Sequence, residues 1–465
     1  VDMNPVLLKP ESNGRSQVVI LGKSIGTLTA ADYYRHKAEI RPIIAESLAR
    51  LRAAYDLVVI EGAGSPAEIN LKEHDVVNMH VARLADAPVL LVGDIDRGGV
   101  FASLVGTMEL LERAERARVA AFVINKFRGD PSLLSSGLTA LTVRTGVPVL
   151  GVIPFIDDLR IADEDGVAID DRRRRDSGAL LAGTEPASSS VLTVAVVRLP
   201  RISNHDEVQP LEYEPGVRLR FVDTAEEVAA ADLLIVPGSK STVADLAWLH
   251  ARGLAEAVAE RARRGALVLG ICGGCQMLGE TIVDPEGVES TEQSVAGLGL
   301  LPLRTQFHAE KNVAQVKATV GASCFLTAGL TRGTVLTGYE IHAGVVALAP
   351  SAITPFRLRE RNRDAVDLPD GAIAADGAVV GTMIHGLLEN DLVRVALLNT
   401  MRARRNGGTA QPAALPPLAA LPSSRNNDAA YDRLADVVSE SLDLPLLNRI
   451  VGFGLRQPTD AAKSP

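Results

Sequence analysis

Cysteine is scarce in this sequence, with three among 465 residues. Three cysteines cannot build a disulfide framework in so long a chain, and their number favours a reducing compartment, for which the cytoplasm is the default. The sequence also lacks any uninterrupted run of about 18 apolar residues, and its N-terminus lacks a basic segment followed by an apolar one. It therefore gives no support for a membrane span or a secretory signal.

Positive charge is in short supply as well, because 48 Lys and Arg residues stand against 57 Asp and Glu residues and leave a formal net charge of −9. The basic residues are scattered except for a run at Arg172–Arg175, which we interpret as part of a solvated linker rather than as an anion site. This distribution offers no electrostatic footprint for nucleic acid. We expect a small-molecule enzyme or an interaction protein.

Apolar runs recur along the chain in two separate groups. The first group, between residues 17 and 153, comprises QVVILG, YDLVVIEGAG, APVLLVGDID, RVAAFVINKF and VPVLGVIPF. The second comprises VLTVAVVRLP, ADLLIVPGSK and GALVLGICGG. Runs of this length, separated by stretches of helical length, predict buried parallel strands with helical crossovers.

These groups predict the domain organisation. We expect an α/β domain over 1–170, a linker over 171–190 that is rich in Arg, Ser, Gly and Pro, and a second α/β domain over 191–400. The remainder, 401–465, reads as a flexible Pro/Ala/Ser-rich insert followed by an amphipathic helix around Tyr431 to Leu442.

The segment ALVLGICGGCQMLGE leads from an apolar run through Cys272 into a predicted helix. Glycines stand two residues to either side of this cysteine, at Gly270 and Gly274, which is the arrangement of a nucleophile elbow. A helix N-terminus stabilises a thiolate, so we expect Cys272 to be a nucleophile at neutral pH. A zinc or redox pair with Cys275 is the alternative, and zinc is disfavoured because no second cysteine pair or closely spaced histidine pair supplies further ligands.

A thiolate nucleophile needs a base and a group of oxyanion donors. His385, in VVGTMIHGLLEN, ends an apolar run at a His-Gly turn and is the predicted base, since strand ends are where α/β enzymes place catalysis. His342 of GYEIHAG, which also contains Glu340, is the alternative base. The backbone N–H groups of Gly273 and of Gly238, in IVPGSKST, are the predicted oxyanion donors, although a simple structural turn at Gly238 stays open.

In their order along the chain, these segments resemble those of the cobyric acid synthase family, glutamine-dependent amidases of cobalamin biosynthesis. The resemblance rests on MNPVLLKP, IEGAGSPAEINL, GDIDRGGVFAS, INKFRGD, GVIPF, PGSKST, GICGGCQMLG, GYEIHAG and HGLLEN. It implies an α/β chain with a dethiobiotin-synthetase-like parallel-sheet domain of the P-loop type, followed by a class I glutamine amidotransferase domain of flavodoxin-like fold. The first domain would use ATP and magnesium to activate carboxylates, and the second would supply ammonia from glutamine.

The resemblance also implies a substrate and a set of site residues. The substrate is a corrin, (adenosyl)cobyrinic acid a,c-diamide, amidated at its b, d, e and g carboxylates to give cobyric acid. Cys272 corresponds to the glutaminase nucleophile and His385 to its base. Glu61 corresponds to a magnesium or phosphate ligand, which suits a carboxylate beside a hard cation. The cofactor-binding residues implied near phosphate, corrin or purine are Glu61, Asp94, Asp96, Asn125 and Lys126.

Two features depart from the family pattern. Related amidotransferases often place a Glu two residues beyond the base, where this chain has Leu387, and Glu389 is then a candidate for orienting the base. In addition, no Gly-rich phosphate loop with its Lys and Ser/Thr precedes Glu61, and the chain begins at Val1 in mid-motif. We therefore expect an N-terminally truncated chain that binds ATP poorly.

Other functions stay open at this point. The enzyme that makes the a,c-diamide shares the architecture, although INKFRGD and GYEIHAG favour cobyric acid synthase. Loss of the phosphate loop would leave an uncoupled glutaminase or a pseudoenzyme, and an ATPase-like partitioning or scaffold protein would leave Cys272 without a role. The expected partners are glutamine and the corrin, with no nucleic acid and no membrane, and the sequence leaves open whether the chain forms a homodimer.

Overall fold

The computed structural model of the chain describes residues 1–10, 15–96, 98–156, 159, 191–407 and 425–452. The chain divides into two compact units, one formed by Val1–Leu159 with Asn427–Pro465 and the other by Arg160–Asn426. The linker predicted at 171–190, and the part of the predicted insert from 408 to 424, lie outside the described residues. Within the residues described, no helix is both long and apolar enough to cross a membrane.

The first unit begins with an antiparallel sheet and continues with a parallel one. Its helices and strands before residue 160 are β1 Val6–Pro10, β2 Arg15–Ile20, β3 Lys23–Thr29, α1 Ala30–Ala54, α2 Met79–Ala85, β4 Val89–Asp94, α3 Val100–Leu110, α4 Arg113–Arg116, β5 Val119–Phe127, α5 Ser135–Thr145 and β6 Val149–Pro154. Strands β4, β5 and β6 lie side by side in that order and are parallel. On one face of β5, Phe122 and Ile124 pack in a cluster with residues of α3 and α5, as the alternation of side chains along a strand requires.

The prediction of parallel strands was wrong for the first two apolar runs. QVVILG lies mostly in β2, which pairs antiparallel with β1 and β3. Four residues separate β1 from β2 and two separate β2 from β3, whereas a parallel pair needs a crossover of about a dozen residues or more. Residues 55–60 of YDLVVIE form no strand in the structure, and Val59 is 86% exposed. An apolar run becomes a strand only when a neighbouring strand accepts its backbone hydrogen bonds, and none of the described strands does so here.

The second unit contains two larger sheets. Its helices and strands are β7 Leu192–Val197, α6 Gln209–Glu212, β8 Val217–Val222, α7 Ala225–Ala230, β9 Leu233–Val236, α8 Thr242–Ala251, α9 Leu254–Arg263, β10 Leu267–Ile271, α10 Gly273–Leu278, β11 Thr281–Val283, β12 Ser294–Ala296, β13 Leu303–Val320, β14 Val335–Leu348, β15 Phe356–Arg361, β16 Asp364–Asp370, β17 Ala372–Ile373, β18 Val379–Thr382 and α11 Asp391–Arg405.

The first sheet of this unit has the strand order β8-β7-β9-β10-β18-β17 and is parallel except for β17. Counted along the chain without β17, this is the 2-1-3-4-5 order of flavodoxin-like folds. All four residues of β9 are fully buried, which explains why its sequence is a continuous apolar run. The carboxyl ends of β7, β9, β10 and β18 lie at one edge, where such folds bind ligands.

The second sheet is mostly antiparallel, with the order β12-β11-β13-β15-β16, and β14 pairs with β13. The pairing of β13 with β14 runs from Leu303 opposite Leu348 to Thr319 opposite Val335, with one irregularity. This long pair brings the GYEIHAG segment of β14 beside the elbow at Cys272, as the contacts below show.

Two further helices, α12 Arg425–Ser441 and α13 Leu444–Val451, follow at the C-terminus. Leu446, Leu447 and Ile450 pack on a second face of the first unit's parallel sheet, against Ala121 and its neighbours Val123 and Leu150. The Asp443 N–H also donates to the Leu150 carbonyl at 2.8 Å. Helix α13 therefore forms part of the core of the first unit.

Candidate active site

Cys272 occupies a strained turn between β10 and α10. Its φ of 51° and ψ of −111° are unusual for a residue with a side chain, and it is the N-cap of α10. A Cβ on Gly274 would lie 1.9 Å from the Val236 carbonyl oxygen, and one on Gly270 would lie 2.9 Å from the Cys275 nitrogen. Only glycine fits at both positions, so the flanking glycines allow the sharp strand-to-helix turn that a nucleophile elbow needs.

The sulfur of Cys272 points towards β14. Its thiol donates to the Ile341 carbonyl at 3.7 Å, and the Cys272 N–H donates to the Thr382 carbonyl of the neighbouring strand end at 2.8 Å. The Gln276 side chain, one turn further along, donates to the Ala343 carbonyl at 3.3 Å. The elbow is thus held between the end of β18 and the backbone of β14.

His385 follows β18 and is fully buried. It exchanges two backbone hydrogen bonds with Tyr339, of 2.8 and 3.1 Å, and the two rings stack with centroids 5.1 Å apart. The Nδ1 atom of His385 lies 3.0 Å from Oε2 of Glu207 and 3.3 Å from the side-chain amide nitrogen of Asn204. The imidazole is therefore fixed on its face and at Nδ1 before any substrate binds.

The charges around His385 favour its protonated form. Burial by itself would lower the pKa of His385, but hydrogen bonds with Cys272 and Glu207, together with their charges, outweigh burial and raise that pKa to about 10. Burial raises the pKa of the Glu207 carboxyl, while the hydrogen bond with His385 opposes that shift. Since Glu207 lies against a cation-forming ring in a buried pair, we assign it the ionised state.

Glu207 is a candidate site residue that the sequence patterns did not indicate. It belongs to a short 3-10 turn, His205–Val208, which begins after Asn204, a residue with φ of 49°. Leu387 is buried, and Glu389 makes no hydrogen bond with His385 in the described part of the chain. The available signal was the cluster of acidic residues in SNHDE after the first strand of the unit, at the edge where β18 also ends.

The two predicted oxyanion donors lie at the elbow and in the loop beside it. A Cβ on Gly273 would be 2.9 Å from the Ser239 nitrogen, and one on Gly238 would be 3.3 Å from Cε1 of His385. Neither the Gly238 nor the Gly273 N–H donates to an acceptor among the residues described. The structure therefore brings Cys272, His385, Gly238 and Gly273 to one place.

His342, the alternative base, makes other contacts. Its Nε2 lies 3.6 Å from Oε1 of Glu340 and its Nδ1 lies 3.1 Å from the Gly344 carbonyl oxygen. Glu340 in turn forms an ion pair of 2.7 Å with Arg361. These contacts of His342 and Glu340 favour His385 over His342 as the base.

Cys275, the alternative partner of Cys272, is fully buried, and burial raises the pKa of its thiol well above the usual range.

Four of the five first-unit residues come together at the ends of β4 and β5. The Lys126 ammonium pairs with Asp94 at 2.9 Å, and the Asn125 side-chain oxygen accepts the Lys126 N–H at 2.9 Å. Asp96 pairs with Arg128 at 2.9 Å, and Lys126 has an unusual φ of 61°. Glu61 is exposed in irregular chain, and no hydrogen bond or ion pair joins it to the other four among the described residues.

Comparisons with known proteins agree with this architecture. The family described as CobB/CobQ-like glutamine amidotransferase domain matches residues 193–393, and the family described as AAA domain matches residues 27–162. The first match confirms the fold class predicted for the second unit, and the second confirms the predicted class of the first and supports ATP binding.

Curated relatives match almost the whole chain. A cobyric acid synthase of Sorangium cellulosum (strain So ce56) is 59% identical over 98% of this chain and 86% of its own length. A cobyric acid synthase of Dehalococcoides mccartyi (strain CBDB1) is 44% identical over the same shares of the two chains. Among solved structures, PurLQS from Thermotoga maritima matches 45% of this chain and 99% of its own at 20% identity, with a TM-score of 0.35.

Proposed function

This chain belongs to the cobyric acid synthase family, and we propose that its second unit hydrolyses glutamine at Cys272 to supply the ammonia for corrin amidation. Members of this family are glutamine-dependent amidoligases of cobalamin biosynthesis. The proposed substrate is (adenosyl)cobyrinic acid a,c-diamide, amidated at carboxylates b, d, e and g. The observation that carries the proposal is the buried set of Cys272, His385 and Glu207 beside two glycine N–H groups.

In the proposed reaction, Cys272 and His385 start as a thiolate–imidazolium pair, in line with the raised pKa of His385, and the sulfur attacks the amide carbon of glutamine. A carbon–sulfur bond forms, the carbon–nitrogen bond breaks, and the imidazolium gives its proton to the departing nitrogen as ammonia leaves. Water then attacks the thioester and gives a proton to His385, the carbon–sulfur bond breaks, and glutamate leaves with the thiolate–imidazolium pair restored. Glu207 stabilises the imidazolium in both steps, as the acidic member of a triad does.

The negative oxygen that forms on the amide carbon needs hydrogen-bond donors. We assign this role to the backbone N–H groups of Gly238 and Gly273, because fixed backbone donors need no reorganisation during the reaction. The position of Gly273 at the N-terminus of α10 adds the favourable end of the helix dipole.

For the first unit, the proposal is more limited. Asp94, Asp96, Asn125 and Lys126 are available to contact nucleotide or corrin, and bound ATP with Mg²⁺ would supply the activation of the carboxylate. Glu61 stands alone, and no group of three His, Cys, Asp or Glu side chains suited to a metal occurs among the described residues. The described residues of the first unit do not by themselves form a complete nucleotide and metal site, so we derive no step through ATP or magnesium.

An uncoupled glutaminase is the second candidate, because no described hydrogen bond or ion pair joins Glu61 to the other predicted residues of the first unit. One assay separates the two: glutamate release with and without the corrin diamide, ATP and Mg²⁺. Stimulation by the three together supports the amidoligase, and release that ignores them supports the uncoupled glutaminase.

The nucleophile is tested with Cys272→Ala, and Cys275→Ala is the matched control because it removes a buried thiol from the same helix. We expect glutamate release to fall to background in Cys272→Ala and to stay within about threefold of the unaltered chain in Cys275→Ala, a change of less than 1 kcal/mol. Equal release by the two variants would contradict the assignment.

A further inference from the structure

A buried carboxylate, Asp245, bonds the loop that packs against the elbow. Asp245, on α8, is completely buried, and its Oδ1 pairs with the Arg201 guanidinium at 3.0 Å. Its Oδ2 accepts a hydrogen bond from the Ser239 hydroxyl at 2.7 Å and one from the Arg201 N–H at 3.3 Å. Both oxygens are therefore satisfied, as a buried carboxylate requires.

The partners of Asp245 belong to two segments that follow neighbouring strands. Ser239 lies in the Gly238 loop, residues 237–241 after β9, and Arg201 begins the Glu207 segment, residues 201–208 after β7. The segments are also joined through their backbones, since Ser203 donates to the Gly238 carbonyl at 2.9 Å and Lys240 donates to that of Arg201 at 2.8 Å. Asp245 thus links the two segments through side chains, beside the backbone hydrogen bonds that also join them.

Each of the two segments supplies a different part of the site. The Gly238 loop places one proposed oxyanion donor and abuts the elbow, because the Ser239 nitrogen would be 2.9 Å from a Cβ on Gly273. The Glu207 segment places Asn204 and Glu207 against His385. A shift of the Gly238 loop relative to the Glu207 segment would therefore move the oxyanion donor relative to the base.

Stability alone is a weak reason for such an arrangement. Replacing a buried ion pair with apolar residues of similar volume is often neutral or stabilising, so stability by itself does not account for this pair. Asp245 bonds Ser239 through its side chain, and the Ser239 hydroxyl accepts the Ser241 N–H at 3.0 Å. This network fixes the path of the Gly238 loop at the point where it meets the elbow.

We propose that Asp245 is a positioning residue for glutamine hydrolysis, which holds the Gly238 N–H at the oxyanion through Ser239 and Arg201. It contacts neither Cys272 nor His385 among the described hydrogen bonds and ion pairs. The inference rests on the proposed glutaminase function and adds a residue to it.

Two measurements on Asp245→Asn test the proposal: the kcat and KM for glutamate release, and the rate at which iodoacetamide alkylates Cys272. Alkylation needs the thiolate but forms no oxyanion. We expect kcat to fall about 10- to 100-fold, in the range reached when one oxyanion donor is lost, while KM and the alkylation rate stay within about twofold. Ser239→Ala, which removes only a hydroxyl, should show a smaller loss with the same pattern.

Asp232→Asn is the matched control, because Asp232 is a partly buried carboxylate bonded to Thr193 at the opposite end of the sheet. Its kcat should stay near that of the unaltered chain. Three results would overturn the proposal: an unchanged kcat in Asp245→Asn and Ser239→Ala, an alkylation rate that falls as far as kcat, or an equal loss in Asp232→Asn. If Asp245→Asn does not fold, Ser239→Ala decides. Release that persists in Cys272→Ala would instead refute the glutaminase function itself.

Discussion

Replacing Glu207 with Gln tests how the base is held. The Glu207 carboxylate lies 3.0 Å from Nδ1 of His385, and both side chains are buried. Gln keeps nearly the same volume and can still accept a hydrogen bond from Nδ1, but it carries no charge. The substitution therefore removes the electrostatic part of the contact and leaves most of its geometry.

The size of the effect follows from the pKa of His385. That pKa is raised to about 10 against burial, with Cys272 and Glu207 as the groups that raise it. Because the folded-state pKa is raised, the imidazolium persists up to high pH and is lost as the pH rises through that value. Loss of the Glu207 charge should lower it by about 1 to 2 units, or about 1 to 3 kcal/mol.

The assay is the pH profile of kcat/KM for glutamate release between neutral pH and pH 10. In Glu207→Gln we expect the alkaline decline to begin about 1 to 2 pH units lower and the maximum to fall about 10-fold or more. Glu389→Gln is the matched control, since Glu389 is exposed, lies four residues after His385 and makes no described hydrogen bond with it. A Glu207→Gln profile that superimposes on that of the unaltered chain, or an equal shift in Glu389→Gln, would refute the reasoning.

Three other substitutions test two close backbone contacts and one buried carboxyl group. Gly274→Ala should prevent the second unit from folding, because its Cβ would lie 1.9 Å from the Val236 carbonyl oxygen, and soluble yield with circular dichroism checks this. Gly151→Ala, whose Cβ would lie 2.1 Å from the Ser441 carbonyl oxygen, should release the C-terminal helices to hydrogen exchange and proteolysis. Burial raises the pKa of Asp370 from 3.8 to about 6. The folded state then binds more protons between those values, so unfolding free energy should fall by about 3 kcal/mol as pH rises through them, and urea titrations of Asp370→Asn should lack that decline.

The elbow could be predicted from sequence because its physical cause is local. Cys272 needs a strand before it, a helix after it and small residues two positions away on each side, and all of these lie within one short segment. The close contact that explains Gly270 is with Cys275 in the same segment, whereas the one that explains Gly274 is with Val236 on the neighbouring strand β9 and depends on the fold.

The partner of the base could not be predicted in this way. Glu207 and His385 are 178 positions apart, and they meet because β7 and β18 both end at the same edge of the sheet. The sequence offered Glu389 because it is near in the chain, but the short turn after His385 does not direct that side chain to the imidazole. Spacing along a chain cannot reveal a contact that depends on strand order.

The error at residues 55–60 has a related cause. An apolar run forms a buried strand only if an adjacent strand pairs with its backbone N–H and C=O groups. Composition does not report which adjacent strands exist. Strands β1 to β3 pair antiparallel because the segments between them are too short for a parallel crossover, a constraint that apolar content does not report.

The central claim is that Cys272 attacks the amide carbon of glutamine. Its most direct test is reaction of the chain with a diazoketone analogue of glutamine, which alkylates the nucleophile it meets in the glutamine site, followed by peptide mass spectrometry. We predict one adduct, on the peptide that contains Cys272, competed by free glutamine and absent from Cys272→Ala. An adduct on another residue, or labelling that persists in Cys272→Ala, would contradict the account.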